Sequence, residues 1–265
     1  MCAKSQPELD GFFESPEDNP PARLLMIRAY LDESGHEQKQ HVIVAGHAGT
    51  ESAWRKFIPA WQQALGPQRK RLHMQELRWS KLYTRGLLAK LGEVPARCGL
   101  VRVIGGVKVS DYEDLVSGTE VEKMFKGYIP ALFTAVNHLL IAAPDDDKVE
   151  IVIEHQHEYL PYVENAFAAI RGLRDKRLYR SDGVHKLARW GFGYKEDTAL
   201  FDQADYLAYA VLQDCRDPES TRAKWCSPIL KGGKSCGEVL TRKQARDALL
   251  NAPPLLTDLL NKPIP

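Results

Sequence analysis

The sequence has 265 residues, 44% of them hydrophobic, enough for a sizeable core within one large domain carrying insertions. Lys and Arg number 36 against 35 Asp and Glu, a formal charge of +1 that excludes a protein coating nucleic acid through global charge, so any such contact must be local. Five cysteines (Cys2, Cys98, Cys215, Cys226 and Cys236) form neither an even framework nor a CxxC pair, and no signal peptide or bilayer-length apolar run is present, so the expectation is a cytoplasmic protein with reduced thiols, no zinc site and no membrane partner.

Residues 1–22 hold Pro7, Pro16, Pro20 and Pro21 among acidic residues, a composition that disfavours helix and sheet and predicts a flexible leader. Folding is expected over 23–215. The run from Leu24 to Leu31 reads as a strand ending in the turn-prone Asp32-Glu33-Ser34-Gly35, and His41 to Gly46 supplies a second strand for a hairpin. Trp54, Phe57, Ile58, Trp61 and Leu65 stand three and four apart, which predicts an amphipathic helix over 51–66 stopped by Gly66-Pro67. A basic stretch and another helix follow, making a helical insertion over about 50–95. Cys98 to Val109 reads as the third strand and Glu120 to Ala143 as a long helix ending at Pro144. Val149 to Glu154 is a nearly all-apolar fourth strand, expected in the middle of the sheet. A helix over 161–174, a fifth strand within 185–192 and a helix over 199–215 complete the pattern, and residues 216–265 read as a helical extension packed on the domain.

Ligands in open α/β sheets lie beyond the carboxyl ends of the strands. Asp32 and Glu154 stand at two such ends. The helix Leu200 to Tyr209 adds Asp202 and Asp205, whose i, i+3 spacing puts them on one face. Asp205 lies among apolar residues, where a carboxylate must be paired or metal-bound; a buried salt bridge to an arginine would satisfy it equally well. Oxygen ligands without soft sulfur suit Mg²⁺ or Mn²⁺, and two such ions held by carboxylates serve phosphodiester cleavage.

Tyr30-Leu31-Asp32-Glu33-Ser34-Gly35, His73-Met74-Gln75-Glu76 and Asp202-Gln203-Ala204-Asp205-Tyr206-Leu207-Ala208 together resemble the bacterial family called domain of unknown function 3800. The resemblance spans most of residues 24–215. It implies an α/β fold, an RNase H-like mixed five-stranded sheet flanked by helices, and a metal-dependent nuclease, with Asp32, Glu33, Glu154 and Asp205 as its catalytic residues. This sequence has Glu154 where relatives commonly carry Asp, and Asp202 where they often carry Gln. The metal ligands expected are Asp32, Glu154, Asp202 and Asp205, with His73 and Glu76 as accessory groups. The alternative from another class is a non-catalytic RNase H-like module binding nucleic acid or protein, in the mobile-element or phage-defence context the resemblance suggests.

From Arg171 to Arg189 seven Lys or Arg face two Asp, 7 − 2 = +5, so Arg171, Arg174, Lys176, Arg177, Arg180 and Lys186 are the expected contacts to RNA or DNA phosphates. A solvated, salt-bridged surface is the competing explanation for such a run. Gln68-Arg69-Lys70-Arg71 is a second, shorter basic patch. His155 and His157 alternate with Glu154 and so belong on the opposite face if the strand continues. Oligomeric state is not readable from these features.

Overall fold

Side-chain alternation in the first strand decides which groups meet at the site. In β1 (Met26–Ser34) Ala29 and Leu31 enter one hydrophobic layer and Tyr30 enters the other. The same parity places Asp32 on the Tyr30 side and Glu33 on the opposite side. A computed structural model describes residues 26–35, 40–119, 127–155, 157, 159, 160, 163, 164, 167, 183–195 and 198–250. The expected leader, most of the helix expected over 161–174 and the last fifteen residues lie outside them.

The remaining strands are β2 (His41–Thr50), β3 (Val101–Lys108), β4 (Lys148–Glu154), β5 (Leu187–Gly193) and β6 (Ser235–Leu240), and the sheet runs β5-β4-β1-β2-β3-β6. β1, β2 and β3 form an antiparallel meander, β4 pairs parallel to β1, and β5 pairs parallel to β4. These five give the RNase H-like α/β arrangement. The sixth strand corrects both the expected count of five and the purely helical reading of residues 216–265, because β6 pairs parallel to β3. Its residues Ser235 to Leu240 are only partly apolar and follow two glycines, so alternation alone does not mark them as a strand.

Helices cover both faces. The first layer buries Val109, Tyr112 and Val116 of α3 (Val109–Val116) and Ile129, Leu132, Val136 and Leu139 of α4 (Tyr128–Ala142). The expected long helix from Glu120 therefore starts, among the described residues, at Tyr128, and α3 occupies a stretch the sequence reading leaves unassigned. Gly105 of β3 lets α4 lie close to the sheet: a Cβ there would stand 2.0 Å from the Ala131 carbonyl oxygen and 2.5 Å from the Ala135 nitrogen.

The second layer holds α1 (Glu51–Leu65), α2 (Leu82–Arg97), α5 (Asp202–Arg216) and α6 (Thr221–Leu230); α7 (Arg242–Leu250) lies beside α3 and β6. Thr50 caps α1 by accepting from the Ala53 amide, its buried stripe is Trp54, Phe57, Trp61 and Leu65, and Gly66 at φ 79° ends it. Tyr30, Trp54 and Phe57 meet edge to face at 5.0 and 5.4 Å, and the Trp54 indole donates to the Arg28 carbonyl, fixing α1 on β1.

α5 is buried almost all round between the strands β1 and β2 and the helix α6, so its polar residues need internal partners. Gln203 donates from Nε2 to the Leu200 carbonyl at 2.7 Å and to the Tyr30 carbonyl at 3.4 Å, which turns Oε1 toward His47 Nδ1. The imidazole must therefore carry its proton on Nδ1. Burial is the main reason the His47 pKa falls to about 4.

Two outcomes follow from this packing. Gly105→Ala drives a methyl into the α4 backbone and is expected to cost roughly 1–3 kcal/mol in urea unfolding; an unchanged midpoint would remove the close-approach explanation. His47 is neutral when folded and charged in the unfolded chain below the ordinary histidine pKa. Its contribution is complete above pH 6.5 and is lost as pH falls toward about 4. The loss between neutral pH and pH 5 should be about 2 kcal/mol larger in the wild type than in His47→Gln; equal losses in both proteins contradict the assignment.

Candidate active site

β1 and β4 run side by side in the same direction, with Leu31 opposite Ile153, so Asp32 and Glu154 leave the sheet as neighbours on the α5 side. β5 delivers a cation to the same point. Lys195 follows the end of β5 by two residues, and its Nζ lies 3.1 Å from Asp32 Oδ2, 3.2 Å from Asp205 Oδ2 and 3.7 Å from Glu154 Oε2. The expected convergence of Asp32, Glu154 and Asp205 is thus present, with a lysine at its centre.

All the groups are largely withdrawn from water: Asp32 is 3% exposed, Asp205 is 7% exposed, and the Lys195 side chain is 15% exposed. Burial first, then a hydrogen bond with Glu154, raises the Asp32 carboxyl well above its ordinary pKa, against the pull of Lys195. Asp205 is raised by burial and by the Asp32 charge, while Lys195, the Met74 amide and His73 oppose the shift. The three acids in turn hold the Lys195 ammonium protonated above its usual range despite its burial. Asp32 also accepts from the Glu33 amide through Oδ1 at 2.7 Å.

Asp202 is engaged elsewhere. Its Oδ1 accepts from Arg71 Nε at 2.7 Å and its Oδ2 from the Leu72 amide at 2.9 Å, with the side chain fully buried. Burial pushes this carboxyl up, and the Leu72 amide and Arg71 guanidinium pull it back. With both oxygens paired, Asp202 is not a metal ligand in this arrangement, which corrects that expectation; the arginine salt bridge foreseen as a rival for Asp205 belongs to Asp202. One turn along α5, Asp205 Oδ2 accepts from the Met74 amide at 3.0 Å. The two aspartates therefore hold the segment 71–74 against α5, as carboxylates grip an extended backbone through its N–H groups.

Glu33 is a second correction. Strand parity sends it to the opposite layer, where, after burial, its charge is the largest influence raising the Tyr128 hydroxyl pKa. His73 does reach the site region, since its charge acts on Asp205, and its buried Nδ1 has no hydrogen-bond partner among the described residues. Glu76 is exposed in the short 3-10 turn Met74–Glu76 and does not join it. Lys186 is only 3% exposed and donates to the Ala143 carbonyl at 2.6 Å, with Asp145 3.0 Å away. It closes the end of α4 and is not open to a phosphate. Arg171, Arg174, Lys176, Arg177 and Arg180 lie outside the described residues. His155 ends on the opposite side from Glu154, stacked on Tyr194 at 4.7 Å and edge-on to Phe192.

The central residue absent from the expectations is Lys195. The signal existed: Gly193-Tyr194-Lys195 leaves a strand on the same edge as Glu154, and the strand-end rule that singles out acids applies equally to a cation. Arg71 shows in the sequence only as the end of a short basic patch, and the amides of Leu72 and Met74 carry no signal, because backbone donors have no sequence signature. Among the described residues, no group of three or more His, Cys, Asp and Glu stands in ready-made metal-binding geometry, since the acids surround an ammonium. No family model, no curated protein and no solved structure matches the chain.

Removing the ammonium leaves buried carboxylates facing one another. Lys195→Met is therefore expected to destabilise the metal-free protein by roughly 3–5 kcal/mol near neutral pH, read by urea unfolding in chelator. A loss below about 1 kcal/mol would mean that the cluster is wetter than its burial indicates.

Proposed function

We propose that the protein is a divalent-metal-dependent phosphodiesterase acting on nucleic acid, with Asp32, Glu154 and Asp205 as ligands for Mg²⁺ or Mn²⁺. The observation that carries this reading is a charge deficit. Fully ionised, three carboxylates and one ammonium would sum to −3 + 1 = −2 around a single buried point, and the Asp32 and Asp205 carboxyls are pushed up by burial first and then by the neighbouring acids, which Lys195 offsets only in part. Hard oxygen donors with two uncompensated charges suit a hard divalent cation. When bound, such an ion activates water and stabilises the leaving oxygen of a phosphodiester.

The residues themselves divide the remaining work. Asp202 and Arg71 hold the segment 71–74 in place, and the Met74 amide fixes the orientation of Asp205. Lys195 stabilises the acids while no ion is present; beside a bound ion its ammonium is suited to a phosphate oxygen. A second reading, a non-catalytic nucleic-acid- or protein-binding module, is favoured by one observation, that Lys195 already stands where the three acids converge.

Hydrolysis of labelled single-stranded, duplex and hybrid oligonucleotides with Mn²⁺, Mg²⁺ or chelator separates the two readings. The expected result is metal-dependent cleavage that falls roughly 100-fold or more in Asp205→Asn. Mn²⁺ should also recover part of the stability that Lys195→Met loses. If every substrate survives and Mn²⁺ shifts the melting of neither protein, the catalytic reading is abandoned for the binding module.

A further inference from the structure

The charge of this protein is unevenly spread. Residues 69–85 carry Arg69, Lys70, Arg71, Arg78, Lys81 and Arg85 against Glu76 alone, 6 − 1 = +5, so the rest of the chain sums to 1 − 5 = −4. Lys70, Arg78, Lys81 and Arg85 are exposed and pair with no acid among the described residues. Some exposed cations on other faces are neutralised, as Lys224 is by Glu219 and Arg242 by Asp114.

Aromatic rings are interleaved with this charge. Tyr83, 58% exposed at the start of α2, has the Arg69 guanidinium 5.9 Å from its ring centroid. Trp79 has Arg222 at 5.6 Å and stacks with Tyr209 at 5.4 Å, and Tyr209 lies one helical turn beyond Asp205 on α5. An open surface basin lined by Gln62, Gln63, Gly66, Pro67, Arg69 and Lys70 borders the same stretch, with none of the site acids in its lining. The stretch is also tied physically to the acids, through Arg71 and Leu72 on Asp202 and Met74 on Asp205.

We propose that residues 69–85 form the track along which single-stranded nucleic acid is led to the acidic centre, with Tyr83 as a stacking ring for a base. Unpaired cations follow a polyanionic backbone, and an exposed ring stacks on any base regardless of sequence. A duplex offers the charge but hides its base faces, so the combination favours a single strand. The inference deepens the phosphodiesterase reading by naming its substrate class, and it rests on that reading only for what happens after binding.

The test is fluorescence anisotropy in chelator, where no metal-dependent cleavage occurs, using a labelled single strand of about 12 nucleotides and a hairpin duplex. Wild type is compared with the triple charge reversal Arg78→Glu, Lys81→Glu, Arg85→Glu and with Tyr83→Ala, each first shown to melt like the wild type. The single strand should bind more tightly than the duplex. The triple reversal should weaken it at least about tenfold and flatten the slope of log affinity on log salt by about 2. Tyr83→Ala should weaken the single strand roughly tenfold and leave the duplex unchanged. The track is overturned if no single strand binds, if the triple reversal has no effect, or if strand and duplex bind alike and Tyr83→Ala changes neither, which would mark a general polyanion surface. Wild-type hydrolysis of bis(p-nitrophenyl) phosphate with Mn²⁺ judges the phosphodiesterase separately. Oligonucleotide binding without that activity leaves the track standing and sinks the catalytic reading; activity without binding does the reverse.

Discussion

The structure turns on one ammonium group. Lys195 balances carboxylates that arrive from three separate elements, β1, β4 and α5, and it is itself delivered by β5. None of these groups would be tolerated alone at such burial, since an isolated charge in a low-dielectric interior costs several kcal/mol. The parallel registers of β4 on β1 and of β5 on β4 are therefore coupled electrostatically as well as by backbone hydrogen bonds. A shift of one residue in either register would carry Asp32, Glu154 or Lys195 to the other face, leaving the remaining acids without their counter-charge.

A second constraint links the helical insertion to this centre. The first turn of α5 does not use its acids in the way their spacing alone implies. Asp202 and Asp205 share a face, yet each accepts from a different residue of one passing segment, Leu72 and Met74. The same two residues thereby join the layer containing α1 and α2 to the sheet edge. Below them, Gln203 bonds His47 and reaches the Tyr30 carbonyl, so three polar residues within four positions tie one helix turn to β1, β2 and the insertion.

Much of this was legible in the sequence, and the misses have physical causes. The positions of the first five strands along the chain and the strand-end placement of Asp32 and Glu154 follow from alternation and breakers, while the order of strands in the sheet came only with the family resemblance; Asp205 stood out because a carboxylate in an apolar face needs a partner. Glu33 was misplaced because a motif read as a string ignores that adjacent strand residues face opposite ways. Asp202 was assigned by spacing to the wrong partner, since spacing says which residues share a face and not what lies opposite. Lys195 lies beyond a strand end outside any acidic motif, and Lys186 sits in a basic run whose composition implies surface charge although it is buried against the end of α4. The strand β6 escaped because it is half-exposed at the sheet's edge, where alternation carries little contrast.

β6 also bears on the order in which the protein can be made. It pairs with β3, more than a hundred residues earlier in the chain, and the other five strands among the described residues precede it. During synthesis the five preceding strands emerge first, so the free edge of β3 stays open until residues near 240 have left the ribosome. An open edge is a template for pairing with a stranger, and the interval before its own strand arrives is when a nascent chain is most exposed to that error. β6 thus acts as a closing piece, covering the edge of β3 only after the residues around 240 have emerged.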